Sequence, residues 1–565
     1  MSLLDWVILL GTLGFIVGYG VWRTRSDNTR ENYLRGGGDS RWWGVGLSVM
    51  ATQASAITFL STPGQGYLGG MGFVQFYFGV PLAMLVVGAV FIPLYYKWKV
   101  YTAYEFIGRR FDNRARLLTA GLFLIQRGMA AGITIYAPSI ILARVLHWPL
   151  SWTCVFIGVL VILYTTTGGA RAVGVTHKQQ MAVMFLGIFT AFGLIVHYLS
   201  DTLSFGESLR VAYALGKLDV IDTSWDLNER YTLWSGLIGG FFLQLSYFGT
   251  DQSQVQRYLS GQSIRQARQG LWMNGVLKIP MQFFILLTGV LVFVFYLFHA
   301  TPLSWNETKL AAARDRDKTS MTRELEQSHA DLGAQRKVLT TQLVAAWRSE
   351  DSVQAEVSLE QLKQVESRDA ELKKSFDEQL ELLLPEAKSR EEDYIFISFI
   401  MEQLPMGIIG LLLAMIFCAG MSSTSAELSA LATTATVDVL RSSGSEQAAV
   451  RATQVATVLF GLLALGFAAI FSQFENLIQA VNILGSLFYG TILGIFLVAF
   501  FARRVQGTAV FIAALISQVA ILAIFFTNVE IAFLWYNPIA AAIVVVLAIA
   551  LQALLPAEPR PTPAS

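Results

Sequence analysis

Two adjacent hydroxyl side chains, Ser422 and Ser423, stand in Ala419-Gly-Met-Ser-Ser-Thr-Ser-Ala-Glu427, where eight of the sixteen residues from Met421 to Thr436 are Ser or Thr. A second hydroxylated stretch, Met50-Ala-Thr-Gln-Ala-Ser-Ala-Ile-Thr58, leads into Gly64-Gln-Gly-Tyr-Leu-Gly-Gly70. A third sets Gly236, Gly239 and Gly240 ahead of Gln244, Ser246, Tyr247 and Gly249. All three are embedded in apolar sequence. Such residues serve either as close contacts between membrane helices or as breaks whose freed carbonyls and hydroxyls ring a small cation. Three in one chain favour the second reading and match the discontinuous helices of two inverted five-helix repeats. A cage of hydroxyl and carbonyl oxygens suits a hard ion such as sodium.

The elements that hold these segments must be membrane helices. Of the 565 residues 54% are hydrophobic and 14% charged, against about 25% charged in a soluble domain. Runs of about 20 apolar residues span a bilayer, and thirteen are expected, near 5–23, 42–65, 71–97, 116–146, 149–168, 177–200, 232–250, 271–299, 405–439, 451–472, 477–502, 508–527 and 534–554. The run from Trp6 to Trp22 reads as a first span, since Asp5 precedes it and the arginines follow it. With the N-terminus outside, the inner segments hold 21 Lys or Arg and the outer loops, insert excluded, hold three. That asymmetry places the C-terminus in the cytoplasm and the chain in a plasma or bacterial inner membrane.

Charge divides the chain into two materials. The net +1 is the balance of +6 over the membrane body and −5 over residues 301–392. Neither part carries the strong basic excess of a nucleic-acid partner. The partners expected are the lipid bilayer, sodium, a small solute and, for the insert, another protein. The insert is expected outside as an antiparallel helical hairpin, with apolar Leu362, Val365, Leu372, Phe376 and Leu383 interrupted by Asp369. It reads as a solvated appendage, a docking surface or a lid. Asn306-Glu307-Thr308 fits a glycosylation acceptor only in a eukaryotic secretory setting. The organisation expected is a first helix and inner loop (1–41), the first repeat with the start of the second (42–300), the insert (301–392), the rest of the second repeat (393–502) and two peripheral helices with a short tail (503–565). Cys154 and Cys418 lie in apolar runs and suggest no disulfide.

Four motifs then carry a resemblance. Thr102-Ala-Tyr-Glu-Phe-Ile-Gly-Arg-Arg-Phe111, Thr167-Gly-Gly-Ala-Arg-Ala-Val173, Tyr247-Phe-Gly-Thr-Asp-Gln-Ser-Gln-Val-Gln-Arg-Tyr-Leu259 and the serine-rich ninth span look like the sodium/solute symporter family. The resemblance covers essentially the whole chain except the insert. It implies an all-α polytopic membrane protein with a LeuT-type core in spans two to eleven, working by alternating access. It further implies a sodium ion held by the carbonyls of Ala51, Ala54 and Ala419 and the hydroxyls of Ser422 and Ser423. Where relatives have an aspartate after the Gly-Gly motif this chain has His177, and where a second sodium site would use a further serine it has Ala426. One coupled sodium is therefore expected, with His177 at the inner end of its span, where it need be no more than interfacial.

The resemblance places a solute pocket at midplane. Ser55 and Thr58 match solute-contacting positions, Phe73, Phe76 and Tyr77 face the same region, Gln244 joins them from the seventh span, and Tyr247 matches an inner-side tyrosine. Lys278 matches a sugar-contacting lysine, but it lies near enough to the inner interface to snorkel. Arg127 is the most informative side chain. A guanidinium at that depth costs several kcal/mol unless paired or facing water, and its fork prefers a carboxylate. Sialic acid transporters of the family use an arginine in this helix for the substrate carboxylate, whereas Glu427 offers an internal partner. The expectation is symport of an acidic sugar or other carboxylate with sodium, a neutral sugar being the alternative and a transporter-like receptor a third reading. Five scattered histidines (147, 177, 197, 299 and 329) give no constellation for an enzyme.

Overall fold

The computed structural model describes residues 1–24, 29–317, 320–384, 391–441, 445–470, 477–527 and 529–555. Arg25, the 385–390 end of the insert and the tail at 556–565 lie outside the described residues. The described residues are helical, with no strand beyond an isolated bridge between Ser40 and Gly261. Among the described residues ten helices are long and apolar enough to cross a membrane. That number differs from the thirteen expected spans because some helices merge across kinks while others are broken.

The elements used below are α1 (Leu3–Thr24), α2 (Trp42–Gln53), α3 (Ala56–Gly69), α4 (Asn113–Leu146), α5 (Leu150–Ser200), α6 (Phe205–Ala214), α7 (Gly240–Thr250), α8 (Gln252–Leu259), α9 (Ile264–Tyr296), α10 (Met321–Arg348), α11 (Ser352–Leu383), α12 (Ile408–Thr434) and α13 (Leu477–Phe501). α5 is 51 residues long, about 76 Å at 1.5 Å per residue, enough for two crossings of a core about 30 Å thick. It kinks at Gly169, whose φ is +54°. A Cβ there would meet the Tyr33 carbonyl at 2.6 Å, so both conformation and space require glycine.

The second expected span is broken as its composition suggested. α2 ends at Ala54 (φ −84°, ψ 79°), Ser55 is extended, and α3 restarts at Ala56. Lipid cannot satisfy the polar groups of such a break, and it is enclosed by protein, with Met50, Ala51, Ala54 and Ala56 fully buried. The seventh span is also irregular. A π-turn over Ser235–Gly239 feeds the short α7, which stops at extended Asp251, whose carboxylate caps α8 through the Ser253 amide at 2.8 Å.

α12 is the hub. In the span it heads, 89% of the most apolar window is buried, against 22% for α1, so α12 is the centre and α1 faces lipid. Small side chains let neighbours approach α12 closely; a Cβ on Gly420 would lie 3.0 Å from the Pro138 ring of α4 and 3.5 Å from Ala56 of α3. Buried Asp5 of α1 accepts from the amides of Gly407 and Gly410 at 2.7 and 3.0 Å, satisfying the N-terminus of α12.

The insert forms the expected hairpin, α10 against α11. Leu362, Val365 and Phe376 are buried. Buried Asp369 is held by His329 at 2.5 Å, Lys373 at 3.2 Å and Arg336 at 3.3 Å. Burial pushes this carboxyl up, but the His329 hydrogen bond and the charges of Lys373, His329 and Arg336 hold it well below the usual carboxylate range. The hairpin is clamped to α6 by Arg348 on Glu207 at 2.6 Å and by Arg210 over the Trp347 ring at 4.3 Å. Asn306 is buried and caps the helix Glu307–Arg316, so its side chain is not presented as a glycosylation site.

Candidate ion and solute site

At the break between α2 and α3, the serine-rich turn of α12 supplies the hydroxyls that the sequence suggested. Ser422 Oγ lies 2.9 Å from both the Ala51 and the Ala419 carbonyls. Ser423 Oγ lies 3.1 Å from the Ala419 carbonyl and 3.2 Å from that of Gly420. Ala51, Ala419, Ser422 and Ser423 thus share one oxygen cluster, and buried Ala54 stands at the break beside it. Its oxygens are neutral and hard, the donor set of an alkali cation. Among the described residues no three His, Cys, Asp or Glu side chains converge to hold a metal ion.

His177 departs from expectation. It is fully buried, not interfacial, with Nδ1 2.8 Å from Ser48 Oγ and Nε2 3.2 Å from the Ser422 carbonyl. The second half of α5 packs it between α2 and α12, so it buttresses the oxygen cluster from behind.

A central cavity opens beside this cluster. Ser55, Thr58, Tyr77, Arg127, Gln244 and Tyr247 line it as expected, and Ser423 connects it to the oxygen cluster. Gln53, Phe76, Thr134, Glu427, Asn482 and Tyr489 also line it. Gln53 Nε2 is 3.5 Å from Gln244 Oε1, while the buried Gln53 Oε1 has no hydrogen-bond partner among the described residues. Two expected residues do not line the cavity. Phe73 lies behind its wall, stacked on Phe76 at 5.7 Å and edge-on to Tyr231 at 4.9 Å. Lys278 is buried, not snorkelled, with Nζ 5.2 Å from the Tyr77 ring centroid.

Arg127 is already matched. Its Nη1 donates to Glu427 Oε1 at 3.0 Å and its Nε to Asp251 Oδ2 at 3.0 Å, and its Nη2 donates to Asp251 and to the Tyr489 hydroxyl. Thr134 Oγ1 donates to Glu427 Oε2 at 2.7 Å. The fork expected to await a solute carboxylate is therefore occupied by two carboxylates of the chain itself. Glu427 was legible as a partner because it shares the serine-rich motif. Asp251 and Tyr489 were missed, and only the charge at the end of the seventh span could have pointed to the first.

The family model for the sodium:solute symporter family matches residues 33–320 and 384–517. The chain belongs to this family. The match leaves out 321–383, the hairpin of this symporter-family chain. It is 32% identical over 277 residues to the human sodium-coupled monocarboxylate transporter 1, covering 48% of this chain and 44% of that protein. It is 28% identical over 307 residues to a sodium/glucose cotransporter of Vibrio parahaemolyticus, covering 52% of this chain and 56% of that one. The matched region thus spans about half the length of these relatives. A solved sodium-coupled sialic acid symporter, substrate-bound and outward-open, superposes with a TM-score of 0.74 at 22% identity, covering 98% of both chains, and shows a shared fold.

Proposed function

We propose that this multi-pass membrane protein is a symporter that couples one sodium ion to a small hydroxylated solute by alternating access. The observation that carries the reading is the Ser422 hydroxyl set between the Ala51 and Ala419 carbonyls, at 2.9 Å from each, where the α2–α3 break meets α12. A cation bound there ties the broken span to the hub helix. Ion and solute couple when each favours the same conformation. Family membership supports sodium as the ion. His177 and Ala426, which supply neither the carboxylate nor the hydroxyl of a further site, support a single one.

For the solute, the cavity favours a neutral sugar-like molecule over an acidic one. Gln53 Oε1 is an acceptor without a donor among the described residues, and a buried unpaired acceptor costs about 1–3 kcal/mol, which a solute hydroxyl would relieve. Arg127 already faces Asp251 and Glu427, so an added carboxylate would meet a site with more negative than positive charge. The likeness to a sodium/glucose cotransporter agrees with this reading. A carboxylated solute is the second reading, favoured by the 32% identity to a monocarboxylate transporter, and it requires Arg127 to release Glu427.

The orientation follows the charge count, N-terminus outside and C-terminus inside. Asp5 at the start of α1 binds the start of α12, so both helices begin on one side, as that threading requires. Purified protein in liposomes, offered labelled sugars and organic acids with and without a sodium gradient, tests the proposal. Gradient-dependent uptake of a neutral sugar is expected. Saturable binding without uptake would instead make the chain a receptor.

A further inference from the structure

A second polar cavity lies apart from the solute site and shares none of its lining residues. Arg23 of α1, Arg41, Arg171 and Lys178 of α5, and Arg257 of α8 line it, with Asp39 the one carboxylate among the described lining residues. Asp39 pairs with Arg171 at 3.3 Å, and basic side chains outnumber carboxylates among the described lining residues. Gly36 of the Gly36-Gly-Gly38 loop, where all three residues have positive φ, forms part of its wall.

Arg257 is the decisive group. It is only 2% exposed, yet it forms no salt bridge among the described residues. Its Nη2 donates to the neutral amide of Gln256, its Nη1 reaches the Ala170 carbonyl at 3.5 Å, and its buried Nε has no hydrogen-bond partner among the described residues. The Ala170 carbonyl follows the Gly169 kink, so the break in α5 shapes this wall. A buried guanidinium without a counter-ion is costly, and an anion entering the cavity would relieve that cost. Trp22, Trp42 and Trp43, exposed by 61%, 43% and 41%, surround the region, the aromatic signature of the membrane–water interface. Lys178 Nζ lies 4.8 Å from the Trp43 ring.

We propose that this cavity, at the inner end of α1 and the kink of α5, is a binding site for an anionic phosphate group. Guanidinium forks match phosphate oxygens in pairs, and basic pockets between helices at the cytoplasmic face suit anionic lipid headgroups. The lipid's phosphodiester and free inorganic phosphate offer the same chemistry. Occupation would join α1, the 36–41 loop, the α5 kink and α8.

The test compares lipids retained by the full chain, by native mass spectrometry, after extraction from vesicles of phosphatidylcholine alone or doped with phosphatidylglycerol or cardiolipin. Inorganic phosphate binding is titrated in detergent without lipid. Preferential retention of the anionic lipid, reduced about tenfold in Arg171→Gln/Lys178→Gln and partly in Lys178→Gln alone, supports the site with lipid as its source. Saturable phosphate binding lost in the same variants, without lipid preference, supports it with the free ion as its source. Retention of anionic and neutral lipid alike with no phosphate binding overturns the proposal. So does an anionic preference that both variants leave unchanged.

Discussion

Arg127 and Glu427, 300 residues apart, meet across the central cavity with Nη1 3.0 Å from Oε1. Asp251 holds the same guanidinium from the end of α7, so one cation ties α4 to both α7 and α12. Removing one partner of a buried ion pair leaves an uncompensated charge, at a cost of about 3–5 kcal/mol. Arg127→Gln, which strands two carboxylates, should lower thermal stability more than Glu427→Gln, which strands none. Melting curves in detergent check the order, and equal melting temperatures would show the triad to be loosely held.

Ser422→Ala removes the hydroxyl that lies between two carbonyls. Loss of one such oxygen should raise the sodium concentration needed for half-maximal uptake about tenfold, with Ser423→Ala acting in the same direction. Sodium titrations of uptake read this directly. Unchanged dependence in both variants would remove the ion from this cluster.

The proposed single ion also fixes the shape of those titrations. The Hill slope for sodium should be one in the native protein, since the resemblance aligns His177 with the carboxylate that would serve another cation. A slope clearly above one would require a second site.

Gln53→Ala deletes the unpartnered acceptor in the cavity without touching the oxygen cluster. The expected result is a rise of about tenfold in KM for a hydroxylated solute, with sodium dependence retained. A matched loss for solutes lacking hydroxyls would contradict the role assigned to Oε1.

In the hairpin, the stabilisation from Asp369 should be lost in acid. Its carboxyl lies below its ordinary range when folded, so its stabilisation is present above the unfolded value of about 3.9 and fades as pH falls toward the folded one. Protection of the α10 and α11 amides, taken relative to their intrinsic exchange rates, should be steady from about pH 5 to 8 and fall below about pH 4. Asp369→Asn should weaken protection at neutral pH, by about 3 kcal/mol, while leaving the transport core protected.

Much of this protein was legible in one dimension because it depends on local composition. Apolar runs mark membrane helices, and small hydroxylated stretches mark where helices break or pack closely. The breaks at Ala54–Ser55 and near Gly236–Gly240 and the hairpin around Asp369 followed from residue type and order, whereas the pairing of Ala51 with Ser422 was implied by the resemblance to the symporter family. Tertiary structure decided which side chains meet. His177 reaches Ser48 and the Ser422 carbonyl, Arg127 takes Asp251 as well as Glu427, and Phe73 and Lys278 lie outside the cavity lining. The rotational phase and tilt of a membrane helix are set by its packing against neighbours. Spacing along the chain says little about which of two nearby polar side chains faces the cavity and which is enclosed behind it.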